Sequence, residues 1–398
     1  MSLGIYISVP FCRSKCTYCN FASGVFSATQ MARYVERLRA DIASTRATAA
    51  GHGAVVPDHV DSIYLGGGTP SLLPPAELTV LFAAVANEFD LAAGAEVTVE
   101  CAPGTLTQPI LEALVSGGVN RVSLGVQSFV DREAASVARL HTQQKVLDDI
   151  ACLRAIGISN INLDLIAGLP HQTRESWAYS MEQAIATAVP HVSVYMLEVD
   201  EDSRLGQELI AGGARYHAHF VPDDDLTADF YETACAQLDL NRVQQYEISN
   251  FARAEFESRH NLKYWTRQPY LGFGVDAHSM LPASEQLKND GIESVRLATT
   301  DSFDDYFVSQ QIKASPIRAR EALEESFFLG LRLNRGVKLK ELHAQFGSQV
   351  EEYLPTIEEL VSAEMLSRND DLVQLTQHGR LLSNEVFERF IGEEVSAY

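Results

Sequence analysis

Positive charge is in short supply in this chain: 31 lysines and arginines face 53 aspartates and glutamates, a formal net charge of −22 over 398 residues. The imbalance is uneven. Residues 1–200 carry 12 basic and 19 acidic side chains, while residues 201–398 carry 19 and 34. A surface of that sign repels phosphate backbones and anionic membranes, which argues against nucleic acid as a partner. Long apolar runs are missing as well. Nothing approaches the roughly 18 consecutive apolar residues of a membrane-spanning helix. No basic stretch followed by an apolar one opens the chain, so the sequence predicts neither a transmembrane segment nor a signal peptide. The expectation is a cytoplasmic protein whose thiols stay reduced. Internal repeats and low-complexity tracts are absent too, and 46% hydrophobic with 21% charged residues is the composition of a folded chain, not a disordered one.

The length leaves room for two domains, or one large domain with appendages. Over the first 200 residues one pattern repeats: a β-rich run, a loop with Gly or Pro, then a helical stretch. Candidate strands are 3–9, 60–65, 96–100, 121–126, 161–166 and 192–197; candidate helices are 29–48, 75–89, 108–116, 143–156 and 174–188. Such alternation predicts an α/β fold with a parallel sheet and right-handed crossovers, and six units suit an open barrel better than a closed one. Beyond residue 200 the alternation weakens. An aromatic, polar region spans Tyr246 to His278, and the last 80 or so residues read as helices with a short ribbon near Leu372–Thr376. The predicted division is a core barrel over 1–220, a connecting subdomain over 221–310, and a helical, winged-helix-like domain over 311–398.

Chemistry in parallel α/β folds sits at the C-terminal ends of the strands, and that is where the unusual residues fall. Cys12, Cys16 and Cys19 follow the first strand with the spacing C-x3-C-x2-C. Three thiolates on one loop leave a tetrahedral zinc incomplete, whereas a four-iron cluster held by three cysteines keeps one iron open for a small molecule. A zinc site would need a distant fourth ligand, such as Cys101 or a histidine, since no second C-x2-4-C unit exists. Gly66-Gly67-Gly68-Thr69-Pro70 follows the second strand, Glu100 closes the third, Gln127 follows the fourth and Asp164 lies in the fifth. Each of these alone is as compatible with a structural polar residue or a tight turn as with a ligand.

Taken together, the cysteine spacing with an aromatic before its last member resembles the radical S-adenosylmethionine (SAM) superfamily. The resemblance implies a partial (β/α)6 barrel, a [4Fe–4S] cluster on Cys12, Cys16 and Cys19, and SAM on the open iron with Tyr18 near its adenine. Tyr6, Gly67, Gly68, Thr69, Glu100, Gln127, Arg139 and Asp164 match, at the same mutual spacings, the SAM-binding residues of the oxygen-independent coproporphyrinogen III oxidase-like (HemN-like) branch. Three positions depart from it: Ser8 stands for a usual His, Ala102 for an Asn and Asp276 for a Gly.

Within that branch the oxidases carry a cysteine two residues after the third ligand and an N-terminal extension. Here position 21 is Phe and Cys12 lies eleven residues after the start. His260-Asn261-Leu262-Lys263-Tyr264-Trp265, with Tyr246–Ala252, Gly272–Gly274 and Leu375–Gly379, resembles the HemW haem chaperones of the branch. That resemblance implies haem as cargo, a haem-acceptor protein, a reductant for the cluster, and His260 as the haem-binding residue, with His141 and His278 as other donors. The competing expectations are that His260 and Asn261 bond a loop while Tyr264 and Trp265 fill an interdomain seam, and that the chain is an oxidase decarboxylating coproporphyrinogen III or acts on another tetrapyrrole.

Overall fold

A computed structural model describes residues 2–308 and 312–392. Six β-strand units open the chain in order: β1 (Leu3–Val9), α1 (Ala28–Gly51), β2 (His59–Gly67), α2 (Pro75–Glu88), β3 (Asp90–Cys101), α3 (Gln108–Ser116), β4 (Arg121–Gln127), α4 (Asp131–Ser136), α5 (Gln143–Ala155), β5 (Asn160–Ala167), α6 (Arg174–Ala186) and β6 (His191–Met196). All five pairings from β1 to β6 are parallel. The predicted strands and helices of this half are therefore present, most of them a residue or a few longer or shorter at their ends.

Local chemistry explains the elements. A reciprocal capping box starts α1, where the Ser27 hydroxyl accepts from the Gln30 amide and the Gln30 side chain accepts from the Ser27 amide. Its Tyr34, Val35, Leu38, Ile42, Thr45 and Ala49 then recur at helical spacing and are buried. The strands alternate. Ile5, Ile7 and Val9, Val97 and Val99, Val122 and Leu124, and Leu163 and Leu165 are buried in the main core that also takes in the helices. The residues between them, which face the other side of the sheet by the two-residue period of a strand, include Tyr6, Ser62, Tyr64, Glu100, Ser123, Asn162, Asp164 and Ser193. Parallel sheets buried on both faces read as continuous apolar runs; here one face is polar, which is how a concave ligand-binding interior is encoded.

The sheet does not end at β6. After α7 (Arg204–Ala211) and α8 (Asp224–Leu240), β7 (Gln244–Gln245) and β8 (Asn250–Ala252) add to the β6 edge in antiparallel fashion. Then α9 (Arg259–Trp265) leads to β9 (Tyr270–Phe273), which joins the opposite edge parallel to β1. β10 (His278–Pro282), α10 (Glu285–Asn289), β11 (Ile292–Ala298), α11 (Phe303–Val308) and β12 (Lys313–Arg318) complete a twelve-stranded sheet of order β12-β11-β10-β9-β1-β2-β3-β4-β5-β6-β8-β7. Gly272 belongs to the tight β9–β10 approach, because a Cβ there would lie 2.2 Å from the His278 carbonyl oxygen. Asp276, at the position expected to be glycine, has φ of +54°, the left-handed region that explains the preference.

A second core, from Ile317 to Phe390 together with Ile248, belongs to α12 (Ala319–Leu331), β13 (Val337–Lys338), α13 (Leu339–Phe346), α14 (Leu354–Ser362), β14 (Leu366–Asn369) and β15 (Leu372–Leu375). The three strands form a separate antiparallel sheet, the wing beside the helices. The helical stretch that closes the chain is two pieces, α15 (Gln377–Leu381) and α16 (Ser383–Glu388), because Leu382 between them leaves helical geometry at φ −108°, ψ 32°. Phe327 holds this core, stacked on Phe390 at 4.9 Å and tilted on Tyr353 at 5.3 Å between ring centres. Phe327→Ala is expected to cost about 3–5 kcal/mol, read as a lowered urea midpoint; a loss below about 1 kcal/mol would contradict this packing.

Candidate functional site: a cysteine loop above a polar barrel interior

The loop from Pro10 to Ser27 hangs from the C-terminal end of β1. It is closed on itself by Gly24 N–H to Pro10 O at 2.9 Å and Cys12 N–H to Gly24 O at 2.8 Å. It is also laced to the glycine loop after β2: Gly68 N–H donates to Val9 O at 3.0 Å and Thr69 N–H to Phe11 O at 2.7 Å. Glycine is required at 68, because a Cβ would meet Val9 O at 2.7 Å and the Phe11 backbone at 2.9 Å. Gly67, at φ of +98°, supplies the turn. Cys12, Cys16 and Cys19 are half-buried free thiols on this loop. Burial raises the Cys12 pKa, with hydroxyl contacts from Ser23 and Thr69 acting the other way.

Among the described residues no three His, Cys, Asp or Glu side chains are gathered around one metal ion. The thiols therefore share a loop without being closed on a single point. A cluster offers each cysteine a different iron and does not ask for that closure. Cys16 borders two cavities. One, of about 180 Å³, is lined by Thr69, Ala102, Arg139, His141 and Lys145; the other, of about 380 Å³, by Cys19, Asn20, Asp200, Asp202 and Ser203.

Below the loop the inward polar residues form a connected set. Tyr64 Oη donates to Glu100 Oε1 at 2.8 Å and Gly67 N–H to Glu100 Oε2 at 3.2 Å. Burial, reinforced by repulsion from Asp164, pushes the Glu100 carboxyl up to about 7. Asp164 accepts from Ser123 Oγ at 2.9 Å and Asn162 Nδ2 at 2.7 Å, and burial raises its pKa as well. Gln127 sits at a β-bulge with φ of +66°, which turns it out of the strand alternation. Its amide and the Arg139 guanidinium both approach Gly125, at 3.2 and 3.5 Å from a Cβ built there. Arg139 Nη2 donates to Tyr18 Oη at 3.5 Å, while its buried Nε has no partner. Tyr18 packs on Val137, Ile166 and Leu169. Tyr6 stacks on Tyr64 with ring centres 6.2 Å apart. A buried donor without an acceptor, two acids that no cation bridges among the described residues and a backbone-lined glycine turn are the marks of a polar ligand's seat.

His260 lies at the far end of this polar interior, beside Tyr64 and Tyr6. Its Nδ1 is 3.0 Å from Ser62 Oγ and its Nε2 2.8 Å from Tyr264 Oη, and its ring stacks on Tyr64 at 5.3 Å. Burial, with Lys263 nearby, lowers its pKa to about 3. Neither nitrogen is available to an iron in this arrangement. The rest of the motif is a seam: Trp265 lies under the Arg332 guanidinium at 4.3 Å, and Arg267 pairs with Glu325 at 2.7 Å. His141 donates its Nε2–H to Val126 O at 3.0 Å, and His278 is exposed. The three other cysteines divide: Cys101 is buried and Cys235 half-buried, and Cys152 is exposed on the outer face of α5. Sequence reasoning passed over Tyr64, Ser123, Asn162 and Ser193, the groups that hold the two acids. Their signal was present in the strict alternation of polar with apolar residues along each strand.

The barrel, the three-cysteine loop and the polar interior define a radical SAM protein. The Radical SAM superfamily profile matches residues 6–184, and the HemN C-terminal domain matches residues 317–382, the second core. The solved structure of coproporphyrinogen III oxidase (HemN) from Escherichia coli has the same fold, with a TM-score of 0.82 and 22% identity over 98% of this chain and 90% of that one. The heme chaperone HemW of Lactococcus lactis is 32% identical over 98% of both chains, that of Bacillus subtilis 32% over 98% and 99%, and that of Escherichia coli 31% over 98% of both. The chain belongs to the HemW family of radical SAM proteins. No described helix is long and apolar enough to cross a membrane.

Two outcomes follow from this geometry. Anaerobic reconstitution is expected to give roughly four irons and four sulfides per chain, a yield lost in Cys12→Ala, Cys16→Ala or Cys19→Ala and kept in Cys101→Ala, Cys152→Ala and Cys235→Ala; zinc in place of iron would contradict the assignment. Because the folded Glu100 carboxyl titrates near 7 against 4.5 when unfolded, it favours the fold below its unfolded pKa, and that contribution is lost as pH rises through about 7. Thermal midpoints measured without SAM should therefore fall from pH 4.5 to 7 more steeply for the wild type than for Glu100→Gln. Parallel curves would refute the buried-acid reading.

Proposed function

We propose that this chain is a haem carrier that holds a [4Fe–4S] cluster on Cys12, Cys16 and Cys19 and SAM beside it, and passes haem to an acceptor protein. The observation that carries the reading is the cysteine loop laced over a polar interior in which the buried Arg139 Nε has no partner, in a chain similar to HemW over 98% of its length. Electron supply to the site requires a reductant, and reduced thiols suit a cytoplasmic setting.

The residues divide the work by chemistry. The Gly68 and Thr69 amides are spent on the cysteine loop, so what the glycine turn offers a ligand is carbonyl oxygen, which suits the ammonium of SAM. Arg139, with an unpartnered Nε, suits its carboxylate. Glu100, Gln127 and Asp164 accept from hydroxyls and amines, and Tyr6 and Tyr18 supply flat apolar contact. A bound cluster supplies one electron and an open iron for SAM. Phe21, exposed where the oxidases have cysteine, leaves the loop with three thiols and no fourth, which favours the carrier over the oxidase.

Anaerobic titration of the reconstituted protein with haem, run beside an assay on coproporphyrinogen III, tests the reading. The expected result is a saturable Soret shift without protoporphyrinogen. Robust protoporphyrinogen formation would instead make the chain an oxidase.

A further inference from the structure

His260 has both nitrogens engaged, so a haem carrier built on this fold needs an axial donor from another place. A histidine cluster lies on the barrel's C-terminal rim. His171 follows β5, and after α7 His217 precedes the turn Ala218–Phe220, which has His219 at its centre. His171 Nε2 is 3.3 Å from His217 Nδ1, and Arg132 donates to His171 Nδ1 at 3.3 Å. Phe220, which is 45% exposed, has the His171 ring centre 4.0 Å from its own and the His219 ring centre 4.1 Å away. His171 and His217 both adopt the left-handed region, at φ of +71° and +63°, where side-chain-bearing residues are uncommon and backbone strain points to a functional demand.

The cluster is tied to the cysteine loop by a short chain of bonds. Leu205, near the start of α7, donates its amide to Thr17 O at 2.9 Å, and Glu208 on the same helix accepts from the Tyr216 and Ala218 amides at 2.7 and 3.1 Å. The His171 amide in turn donates to Phe220 O at 2.9 Å. Leu209 and Ile210, 46% and 69% exposed, put apolar surface on the helix of this hairpin.

Two ligands could use such a surface: a bare metal ion or an iron porphyrin. A bare ion wants three or four protein donors, and among the described residues no such group exists. Haem brings four nitrogens of its own and needs one or two from the protein, together with apolar contact and cations for its propionates. The cluster has those parts. His171 uses both ring nitrogens and His217 uses one, while no hydrogen bond among the described residues holds the exposed His219 ring. Arg132 and Arg215 are the nearby cations, in a chain otherwise dominated by acids. The geometry points to His219 as the axial donor of a surface haem site walled by Phe220 and the His171–His217 pair, with Arg132 and Arg215 receiving the propionates. This rests on haem being the cargo.

The test is a titration of the full-length reconstituted chain with ferric haem, comparing wild type with His219→Ala, Phe220→Ala and His260→Ala. His219→Ala and Phe220→Ala should each weaken binding by about tenfold or more, a shift of one decade in Kd. His219→Ala should also lose the nitrogen-ligated Soret signature and regain it with added imidazole. His260→Ala should lower the thermal midpoint and leave the signature of the folded protein unchanged. If the wild type binds haem and His219→Ala binds it identically, this site is wrong while the carrier reading stands. Zinc retained by the cluster together with unaltered haem binding in His219→Ala would assign the histidines to a bare ion and overturn the proposal. If the wild type binds no haem, the carrier reading fails and takes this site with it.

Discussion

Two backbone hydrogen bonds, from Gly68 to Val9 and from Thr69 to Phe11, set the position of everything else at this site. They extend the β1–β2 ladder past the end of the sheet, so the cysteine loop leaves the barrel in a fixed register with the glycine turn. The absence of a side chain at 68 is what permits that approach, since any Cβ would press into the Val9 and Phe11 backbone. The cysteines are thus held over the mouth by main-chain geometry, not by contacts between their own side chains. The same loop reaches α7 through Thr17, and from there the histidine-bearing turn.

The interior beneath carries an energetic cost that a simple structural role does not explain. Buried carboxyls cost stability unless they are paired or well bonded. Glu100 and Asp164 are held by hydroxyls, an amide side chain and one backbone amide, which leaves both pKa values raised. Arg121 and Arg139 each keep a buried Nε without a partner. Such unsatisfied groups are the capital from which a polar ligand's affinity is drawn. At the other end α9 closes the interior with His260 and Tyr264, and its Trp265 and the following Arg267 fasten the C-terminal module to the sheet. The H-N-x-x-Y-W element thereby links floor and seam.

The half of the fold built from β1 to β6 was legible because burial of one strand face writes a period of two into the sequence, and the intervening helices write 3.6. The strands β9 to β12 were not legible, since their place in the sheet depends on the tertiary approach of β9 to β1 and on Gly272, and four to seven residues carry little period of their own. The cysteine loop was readable from spacing alone. His260 was not: its motif suggested an iron ligand, whereas Ser62, 198 residues away, and Tyr264 occupy its nitrogens. Asp276 illustrates the converse, a departure at a glycine position that the left-handed backbone explains. The rim histidines escaped notice because His171 and His217 are 46 residues apart and meet only once Glu208 has folded the turn back.

The central claim is that three cysteines on one laced loop hold a cluster whose fourth iron is open to SAM. Electron paramagnetic resonance of the reduced, reconstituted protein, recorded with and without SAM, tests it directly. An open iron that takes SAM must change the signal of the reduced cluster, and Arg139→Ala should blunt that change at matched SAM concentration. A cluster signal indifferent to saturating SAM would contradict the account.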